Sequence, residues 1–194
     1  KKYSLTEPKY WKIAPGQDGE NWEQCREDGY ISIGWSELGD LSGVSRDEYE
    51  TLRDKVVAES PTRTKQGTDQ AWRFSHIKEG DRIVANKGTG EILGFGTVSG
   101  SYYFTEGADH GHRLPVQWDD ITPRVIEQSG WRRTLIKLDR DKFEMLLTAP
   151  GTGVSSNSTG KNLVYSLTML ADETGMDEEL LQRWVNAIER KGQA

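Results

Sequence analysis

The alternation of apolar and polar residues divides the chain into short strands and amphipathic helices. Strand-forming residues cluster in segments that predict strands at 9–14, 30–35, 82–86, 91–98, 114–118 and 131–138. Apolar residues at helical spacing predict helices that end at 28 or span 45–59, 69–77 and 141–147. This mixture predicts an α/β (α+β) domain. Its sheet is expected to be a curved, partly closed β-barrel of five to six strands, with helices packed outside.

Local signals define the second of these helices. Ser45 followed by Glu48 forms a capping box, in which each residue satisfies a backbone N–H of the other. The buried stripe of this helix is predicted to be Tyr49, Leu52 and Val56. The helix is therefore expected to begin directly after Ser45.

A hairpin is predicted around the tight turn 87–90, which joins the strands 82–86 and 91–98. Gly94 and Gly96 lie two residues apart on the second strand of this hairpin. Glycine in a strand marks strong bending or the close approach of another backbone. The sequence therefore predicts tight packing at this point of the sheet.

The composition changes near residue 148, where a Gly- and Ser-rich loop begins. Helical spacing then returns at 163–172 and 176–191. We expect a domain over 1–147 and a loop with a C-terminal helical linker over 148–194.

Composition narrows the function classes. The net charge of −6 argues against a general polyanion binder. A single cysteine, Cys25, excludes an internal disulfide and a multi-cysteine zinc site, and a reducing cytoplasm is the simplest location. No apolar run approaches membrane length and no signal peptide is recognisable, so no membrane partner is expected.

Basic residues outnumber acidic ones only in the middle of the chain, over 61–165. This region can present a local basic face formed by Arg63, Lys65, Arg73, Lys87, Arg113, Arg132 and Arg133. The alternative is that these are ordinary solvated charges. An acidic protein that binds nucleic acid must then rely on more than attraction to phosphate.

The aromatic composition favours recognition of a flat ligand. The chain has seven Trp and seven Tyr but only four Phe. Trp35 lies where the strand 30–35 opens into a polar loop, a position in which an aromatic ring can wall a ligand site. The alternative is that Trp35 only covers the core.

Apparent catalytic and cofactor motifs fail on inspection. The glycines of 88–94 join two strands and are misspaced for a dinucleotide site, and the Gly-Lys pair at 160–161 is misspaced for a phosphate loop. His110 and His112 lack nearby cysteines, so exposed loop histidines are a better interpretation than a metal site. No catalytic set, metal site or cofactor is predicted.

The order of several short motifs resembles the PUA-like superfamily, specifically its EVE and YTH branches. Asn21 follows the first strand, Trp35-Ser36 closes the next, and 87–96 reads Lys-Gly-Thr-Gly-Glu-Ile-Leu-Gly-Phe-Gly. YTH domains carry an asparagine, a Trp-Ser pair and a Gly-x-x-x-Gly-Phe hairpin at corresponding places. The resemblance covers residues 9–147 and implies a PUA-like fold.

The resemblance also implies a binding site. In YTH domains two tryptophans sandwich a methylated base while an asparagine reads its edge, and the matching residues are Trp35, Trp131 and Asn21. Ser36, Trp72 and Tyr102 are further base-binding candidates, with core packing as the alternative for Trp72 and Tyr102. Contacts to the nucleic-acid backbone are predicted for Lys87, Arg113, Arg132 and Arg133.

A closer resemblance is to the amino-terminal domains of McrB-type restriction proteins. The segments 10–16, 33–35 and 38–41 carry it, and 184–194 is similar to the helix that leads into their AAA+ motor. This resemblance implies a parent protein with its own AAA+ motor, acting through a nuclease subunit. The chain differs from YTH domains by a long insertion, 39–70, whose effect on the pocket stays open.

These resemblances imply a non-enzymatic DNA-binding module that flips a modified base, methylated cytosine or adenine, into an aromatic cage. Double-stranded DNA would be its partner, and modification-dependent restriction in antiphage defence its setting. The alternative is an RNA-binding EVE/YTH-like reader of methylated adenine, which would use the ribose hydroxyl. A nucleotide-modifying enzyme is a third class, disfavoured because no acid/base or metal set is assignable.

Overall fold

The computed structural model describes residues 7–126 and 130–151 of the chain. The strands of this part are β1 (Tyr10–Ile13), β2 (Tyr30–Ile33), β3 (Arg82–Lys87), β4 (Glu91–Val98), β5 (Tyr103–Phe104), β6 (His112–Asp120), β7 (Arg124–Val125) and β8 (Leu135–Leu138). The helices are α1 (Trp22–Glu27), α2 (Arg46–Glu59), α3 (Lys65–Ser75) and α4 (Arg140–Leu147). The predicted helices at 163–172 and 176–191 lie outside the described residues, and the division at 147 stays a prediction.

The strands form one curled sheet in the order β2-β6-β4-β3-β1-β8, to which β5 and β7 add short pairings with β6 and β4. The first strand is inserted between distant parts of the chain, since β1 pairs parallel with β3 and antiparallel with β8. The prediction of an α+β domain with a curved, partly closed sheet is confirmed. Within the described residues, no helix is long and apolar enough to cross a membrane.

Apolar side chains pack on both faces of the sheet. The larger core contains Trp11 and Trp22, which are each 8% exposed. The smaller core lies on the other face, where Phe143 of α4 packs against Phe95 and Tyr10. Alternation along β1 and β3 supplies side chains to both cores, which makes these two strands the centre of the molecule.

The predicted tight packing at Gly94 and Gly96 is confirmed. A Cβ on Gly94 would lie 2.8 Å from the Trp22 ring, and one on Gly96 would lie 2.5 Å from Val116 Cγ1 and 2.8 Å from the Gln117 carbonyl oxygen. β4 also changes register against both of its neighbours in this region. The absence of side chains at these two positions lets α1 and β6 approach the strand.

Capping decides where two helices begin. Ser45 and Glu48 form the predicted capping box at the start of α2. α3 begins at Lys65 rather than at 69, because the Thr64 side chain caps it by accepting from the Gly67 N–H. The predicted start of this helix at residue 69 is therefore four residues too late.

Several other predictions are wrong in detail. Leu52 does not join the buried stripe of α2, since it is 36% exposed. The strand predicted to run to Trp35 ends at Ile33, and the one predicted from Trp131 begins at Leu135. Trp35 and Trp131 therefore lie outside the strands, in the segments that follow β2 and precede β8.

We expect Gly96→Ala to lower the free energy of unfolding by about 1–3 kcal/mol, because the backbone at Gln117 cannot move away from a new methyl group without disturbing β6. Urea unfolding of the purified chain measures this. Gly90→Ala is the matched control, since its Cβ would meet only the Ile126 carbonyl oxygen at 3.7 Å. Equal effects of the two substitutions would contradict the crowding argument.

Candidate functional site

A cavity of about 420 Å³ opens beside the ends of β1, β2 and β3. Its walls come from the segments after β1 and β2, from the turn of the β3–β4 hairpin, and from the segment that precedes β8. This volume lies within the range of small-ligand pockets. The cavity is therefore large enough for one flat heterocycle.

Trp35 and Trp131 both line this cavity. Trp35 is half-buried and packs on the larger core, whereas Trp131 is 5% exposed and belongs to the smaller core. The structure thus brings together, at one cavity, two tryptophans that lie far apart in sequence and pack on different cores. Each combines a packing role with a place in the cavity wall.

Trp35 is held in an unusual backbone conformation. It has φ 69° and ψ 31°, the left-handed region that a bulky residue rarely adopts. Its carbonyl oxygen accepts hydrogen bonds from the Leu38 N–H at 3.0 Å and from His112 Nε2 at 2.9 Å. These contacts fix the backbone from which the indole extends.

The contact from His112 belongs to a chain of hydrogen bonds. Because a carbonyl only accepts, His112 Nε2 carries the proton, and Nδ1 accepts from the Tyr102 hydroxyl at 2.7 Å. The Leu41 N–H in turn donates to the Tyr102 oxygen at 3.4 Å. Burial lowers the pKa of His112 and raises the pKa of Tyr102 to about 12, so both groups are neutral near pH 7.

Trp131 is held by a buried lysine. Lys12 is fully buried in β1, and its Nζ donates to the Trp131 carbonyl oxygen at 2.9 Å and also to the Arg133 carbonyl. The same Nζ lies 5.8 Å from the centre of the Trp131 ring. Burial lowers the pKa of Lys12 to about 8. Lys12 therefore ties the segment before β8 to the first strand.

Backbone strain concentrates at the cavity. Among the described residues, Asp18 and Trp35 are the non-glycine residues with positive φ, and both line it. Such conformations persist only where the surrounding structure enforces them, and they cluster at functional sites. Their convergence on one cavity distinguishes it from the other surface depressions of the domain.

Two buried amide groups have an unpartnered atom. Within the described part of the chain, Asn21 Nδ2 and Asn86 Oδ1 make no hydrogen bond. Asn86 lines the cavity, whereas Asn21 lies behind Gly16, where a Cβ would come within 2.6 Å of Asn21 Nδ2. Asn21 does not line this cavity, so its base-edge role stays a prediction, and Asn86 is the asparagine that lines the wall.

Two arginines border the cavity. Arg63 pairs with Glu37 at 2.5 Å, and its Cζ lies 6.0 Å from the centre of the Trp35 ring. Arg132 is exposed and lines the wall next to Trp131. Arg63 comes from the segment 39–70, so the insertion seen in the sequence does contribute to the pocket.

The remaining predicted site residues lie outside this cavity. Ser36 bridges two loops, since its hydroxyl donates to the Asp109 carbonyl oxygen and accepts from the Gly111 N–H, each at 2.8 Å. Trp72 packs against Tyr49 with ring centres 4.7 Å apart, and Tyr102 acts through His112. The basic residues Lys87, Arg113 and Arg133 also do not line it.

The two histidines of the His-Gly-His segment have different environments. His110 lines the cavity, while His112 is fully buried, so the interpretation of both as exposed loop residues is wrong for His112. No group of three or more potential metal ligands occurs among residues 7–126 and 130–151. In place of a metal ligand, His112 is a positioning residue for Trp35.

Sequence reasoning did not identify Asn86, Asp18 and His110 as cavity residues. Asn86 could have been identified, because it follows three apolar residues in a predicted strand and a buried polar side chain needs a hydrogen-bond partner. Asp18 and His110 lie in polar loops, where sequence pattern does not separate wall residues from solvated ones. Their positions follow only from the fold.

The chain belongs to a family described as a domain of unknown function, DUF8426, whose model matches residues 11–130. No curated protein matches the chain.

Solved structures with a similar fold include YTH domains. One is the YTH domain of Mmi1 in complex with RNA, with TM-score 0.43, 8% identity, and 73% of this chain and 77% of that chain covered. Another is the YTH domain of Zygosaccharomyces rouxii MRB1 in complex with N6-methyladenosine RNA, with TM-score 0.42, 9% identity, and 75% and 88% covered. Protein Atu2648 from Agrobacterium tumefaciens has TM-score 0.40 and 11% identity, with 71% and 90% covered.

The neutral state of His112 predicts a pH dependence. Burial lowers its pKa below the ordinary 6.5, so the unfolded chain takes up a proton at a higher pH than the folded protein. The stability that depends on neutral His112 is complete above 6.5 and is lost as the pH falls through the lower, folded value. Urea unfolding between about pH 7.5 and pH 5 should show this loss. A His112→Gln variant should have a shallower slope over that range, and a slope as steep as the parent's would contradict the assignment.

Proposed function

We propose that this domain recognises a modified base in DNA, methylated cytosine or methylated adenine, by taking the flipped base into the cavity lined by Trp35 and Trp131. The observation that carries the proposal is the pairing of two tryptophans at one cavity, each fixed through its own carbonyl oxygen by a buried basic side chain. Rigid aromatic walls are what a stacking site requires, because stacking depends on the position of the ring face.

The chemistry of the other wall residues supports this proposal. Arg132 is exposed in the cavity wall, where the phosphates that flank a flipped nucleotide would lie, whereas the charge of Arg63 is paired with Glu37. The overall charge of −6 keeps the general attraction for nucleic acid weak. Affinity would then depend on what enters the cavity, which is the property a reader of a rare base needs.

A binding role fits the cavity better than catalysis. Asp18 and His110 are titratable side chains in its wall, but neither is paired with a nucleophile or a second carboxylate there. Lys12 and His112 are the two buried basic residues whose pKa is lowered, and both donate hydrogen bonds to backbone carbonyl oxygens. We therefore propose recognition without a chemical step.

The proposed setting follows from the sequence resemblance to the amino-terminal domains of McrB-type restriction proteins. In that setting the domain would direct an AAA+ motor, encoded in the same parent protein, and its nuclease subunit to modified DNA. An RNA reader of methylated adenine is the alternative that the same cavity would serve.

Titration of otherwise identical duplexes tests the proposal directly. Duplexes that carry 5-methylcytosine, 5-hydroxymethylcytosine, 6-methyladenine or no modification are compared at one salt concentration, with single-stranded RNA carrying N6-methyladenosine as a further arm. We expect one modified duplex to bind at least about ten-fold more tightly than the unmodified one, the scale of one or two good contacts in the pocket. Equal binding of all duplexes would contradict the proposal, and preference for the RNA would establish the alternative.

Trp35→Ala should weaken binding of the preferred duplex by roughly ten- to hundred-fold, because it removes a stacking face worth about 1–3 kcal/mol. Binding of the unmodified duplex, held through its backbone, should change little. Trp72→Ala is the matched control, since both tryptophans are half-buried on the rim of the larger core but Trp72 lies outside the cavity.

The result would assign the site either way. If Trp72→Ala abolished the preference while Trp35→Ala preserved it, the base would bind elsewhere and the earlier prediction for Trp72 would be restored. Near-ultraviolet circular dichroism of each variant separates a lost contact from a lost fold. Trp131→Ala is less informative, because that residue is 5% exposed and its removal leaves a void in the smaller core.

A further inference from the structure

Arg63 and Glu37 form an exposed ion pair at the edge of the cavity. Arg63 lies in the connection between α2 and α3, and its Nε lies 2.5 Å from Glu37 Oε1. Each of the two side chains is 37% exposed. The guanidinium group also lies over the ring of Trp35, but within the described part of the chain it donates no hydrogen bond. One carboxylate is therefore its main partner.

An ion pair of this kind is easily exchanged. Exposed pairs contribute little to stability, because water competes for both charges and the two side chains lose conformational freedom. Separating Arg63 from Glu37 therefore costs far less than breaking a buried pair. The planar fork of N–H donors on an arginine matches phosphate as well as carboxylate. A phosphate group that reaches Arg63 can thus take the place of Glu37.

Arg63 lies on the border between two cavities. One is the cavity lined by Trp35 and Trp131, which we call the tryptophan cavity, and the other is a neighbouring cavity of about 820 Å³. Arg63 lines both, whereas Glu37 lines only the neighbouring cavity. Glu37 therefore holds Arg63 from outside the tryptophan cavity, and a ligand inside that cavity can also contact Arg63.

The two cavities differ in charge. Of the described residues in the wall of the tryptophan cavity, Asp18 is acidic, and Arg63 and Arg132 are basic. The acidic residues in the wall of the neighbouring cavity are Glu20, Glu37, Glu106 and Asp109. Because carboxylates repel phosphate, a phosphate group would reach Arg63 from the tryptophan cavity and not from the neighbouring one.

We propose that Glu37 occupies the place of a phosphate group on Arg63 in the free protein, and that the phosphate of the flipped nucleotide replaces it. This inference rests on the proposed function and names the group that Arg63 binds. A base and its phosphate are covalently joined, so a base that stacks on Trp35 brings a phosphate towards Arg63, whose Cζ lies 6.0 Å from the centre of that ring. A nucleotide that stays in the duplex makes no such contact.

The two residues then act in opposite directions. The contact between Arg63 and phosphate forms only when a nucleotide enters the tryptophan cavity, so it favours modified over unmodified duplex. Glu37 competes for the same guanidinium group and lowers the net gain, because the ion pair has to be separated first. Glu37 is thus an internal competitor of the ligand.

Glu37→Gln tests the exchange, since glutamine keeps the size of the side chain and removes its charge. We expect the preferred modified duplex to bind about two- to five-fold more tightly. Glu144→Gln is the matched control: Glu144 pairs with Arg140 at 2.8 Å on α4, outside both cavities, and its substitution changes the net charge equally. This control should bind like the parent chain, and an equal gain in both variants would show a general effect of charge.

Arg63→Gln separates the exchange from any other role of Glu37. For the modified duplex, we expect the slope of log affinity against log salt concentration to fall in magnitude by about 0.9, the value for one phosphate contact. The slope for the unmodified duplex should stay at the parental value. In the Arg63→Gln background, Glu37→Gln should have no further effect, because Glu37 acts only through Arg63. Circular dichroism checks that each variant is folded.

The outcomes separate this inference from the proposed function. A gain of affinity in Glu37→Gln that disappears in the double variant supports the exchange. A loss of affinity in Glu37→Gln overturns it, since Glu37 would then hold Arg63 in a binding position, and so does an unchanged affinity. An unchanged salt slope in Arg63→Gln also overturns it. In each of these cases the preference for the modified duplex remains, so base recognition stands. If no modified duplex is preferred over the unmodified one, the proposed function fails and this inference fails with it.

Discussion

The arrangement of the cavity depends on two buried basic side chains that grip backbone carbonyls. His112 holds the carbonyl of Trp35 and Lys12 holds that of Trp131, so each wall is anchored by its backbone rather than by its ring. This anchoring fixes the backbone of two residues that line the cavity. It also explains why two costly burials are tolerated here, since an unpaired imidazole or ammonium group in a core would be far more destabilising than one that donates to a carbonyl.

The parts of the fold that the sequence predicted are those set by local chemistry. The capping box of Ser45 and Glu48 and the hairpin turn follow from residues a few positions apart, and the pair Gly94 and Gly96 marks a crowded place in a strand without naming its distant neighbours. The cavity follows from contacts over long separations, which no periodicity encodes. The tryptophans could be placed at one site only through resemblance to a family, and the assignment of Asn21 to the base edge did not anticipate Asn86.

Local propensity did not predict the backbone geometry at two cavity residues. Trp35 was wrongly assigned to a strand, whereas Asn86 was correctly assigned to a strand but not to the cavity. In the structure Trp35 has left-handed backbone angles and Asn86 follows a register shift, so each departs from regular strand geometry. Irregular backbone geometry of this kind is common at functional or strained sites. Predictions from local sequence propensity are therefore least accurate at residues that line a site.

The insertion of β1 between β3 and β8 has a consequence for the order of folding. Lys12 contacts a carbonyl 119 residues further along the chain, and β1 pairs with a strand that begins at Arg82. Loop closure over such distances is slow compared with the formation of helices or of the β3–β4 hairpin. β1 must therefore wait for β8, the last strand of the described region, before it is paired on both sides. The cavity is complete only after β8 has paired with β1, because residues before β8 form part of its wall. A partly folded chain would therefore contain most of the sheet but lack a complete cavity.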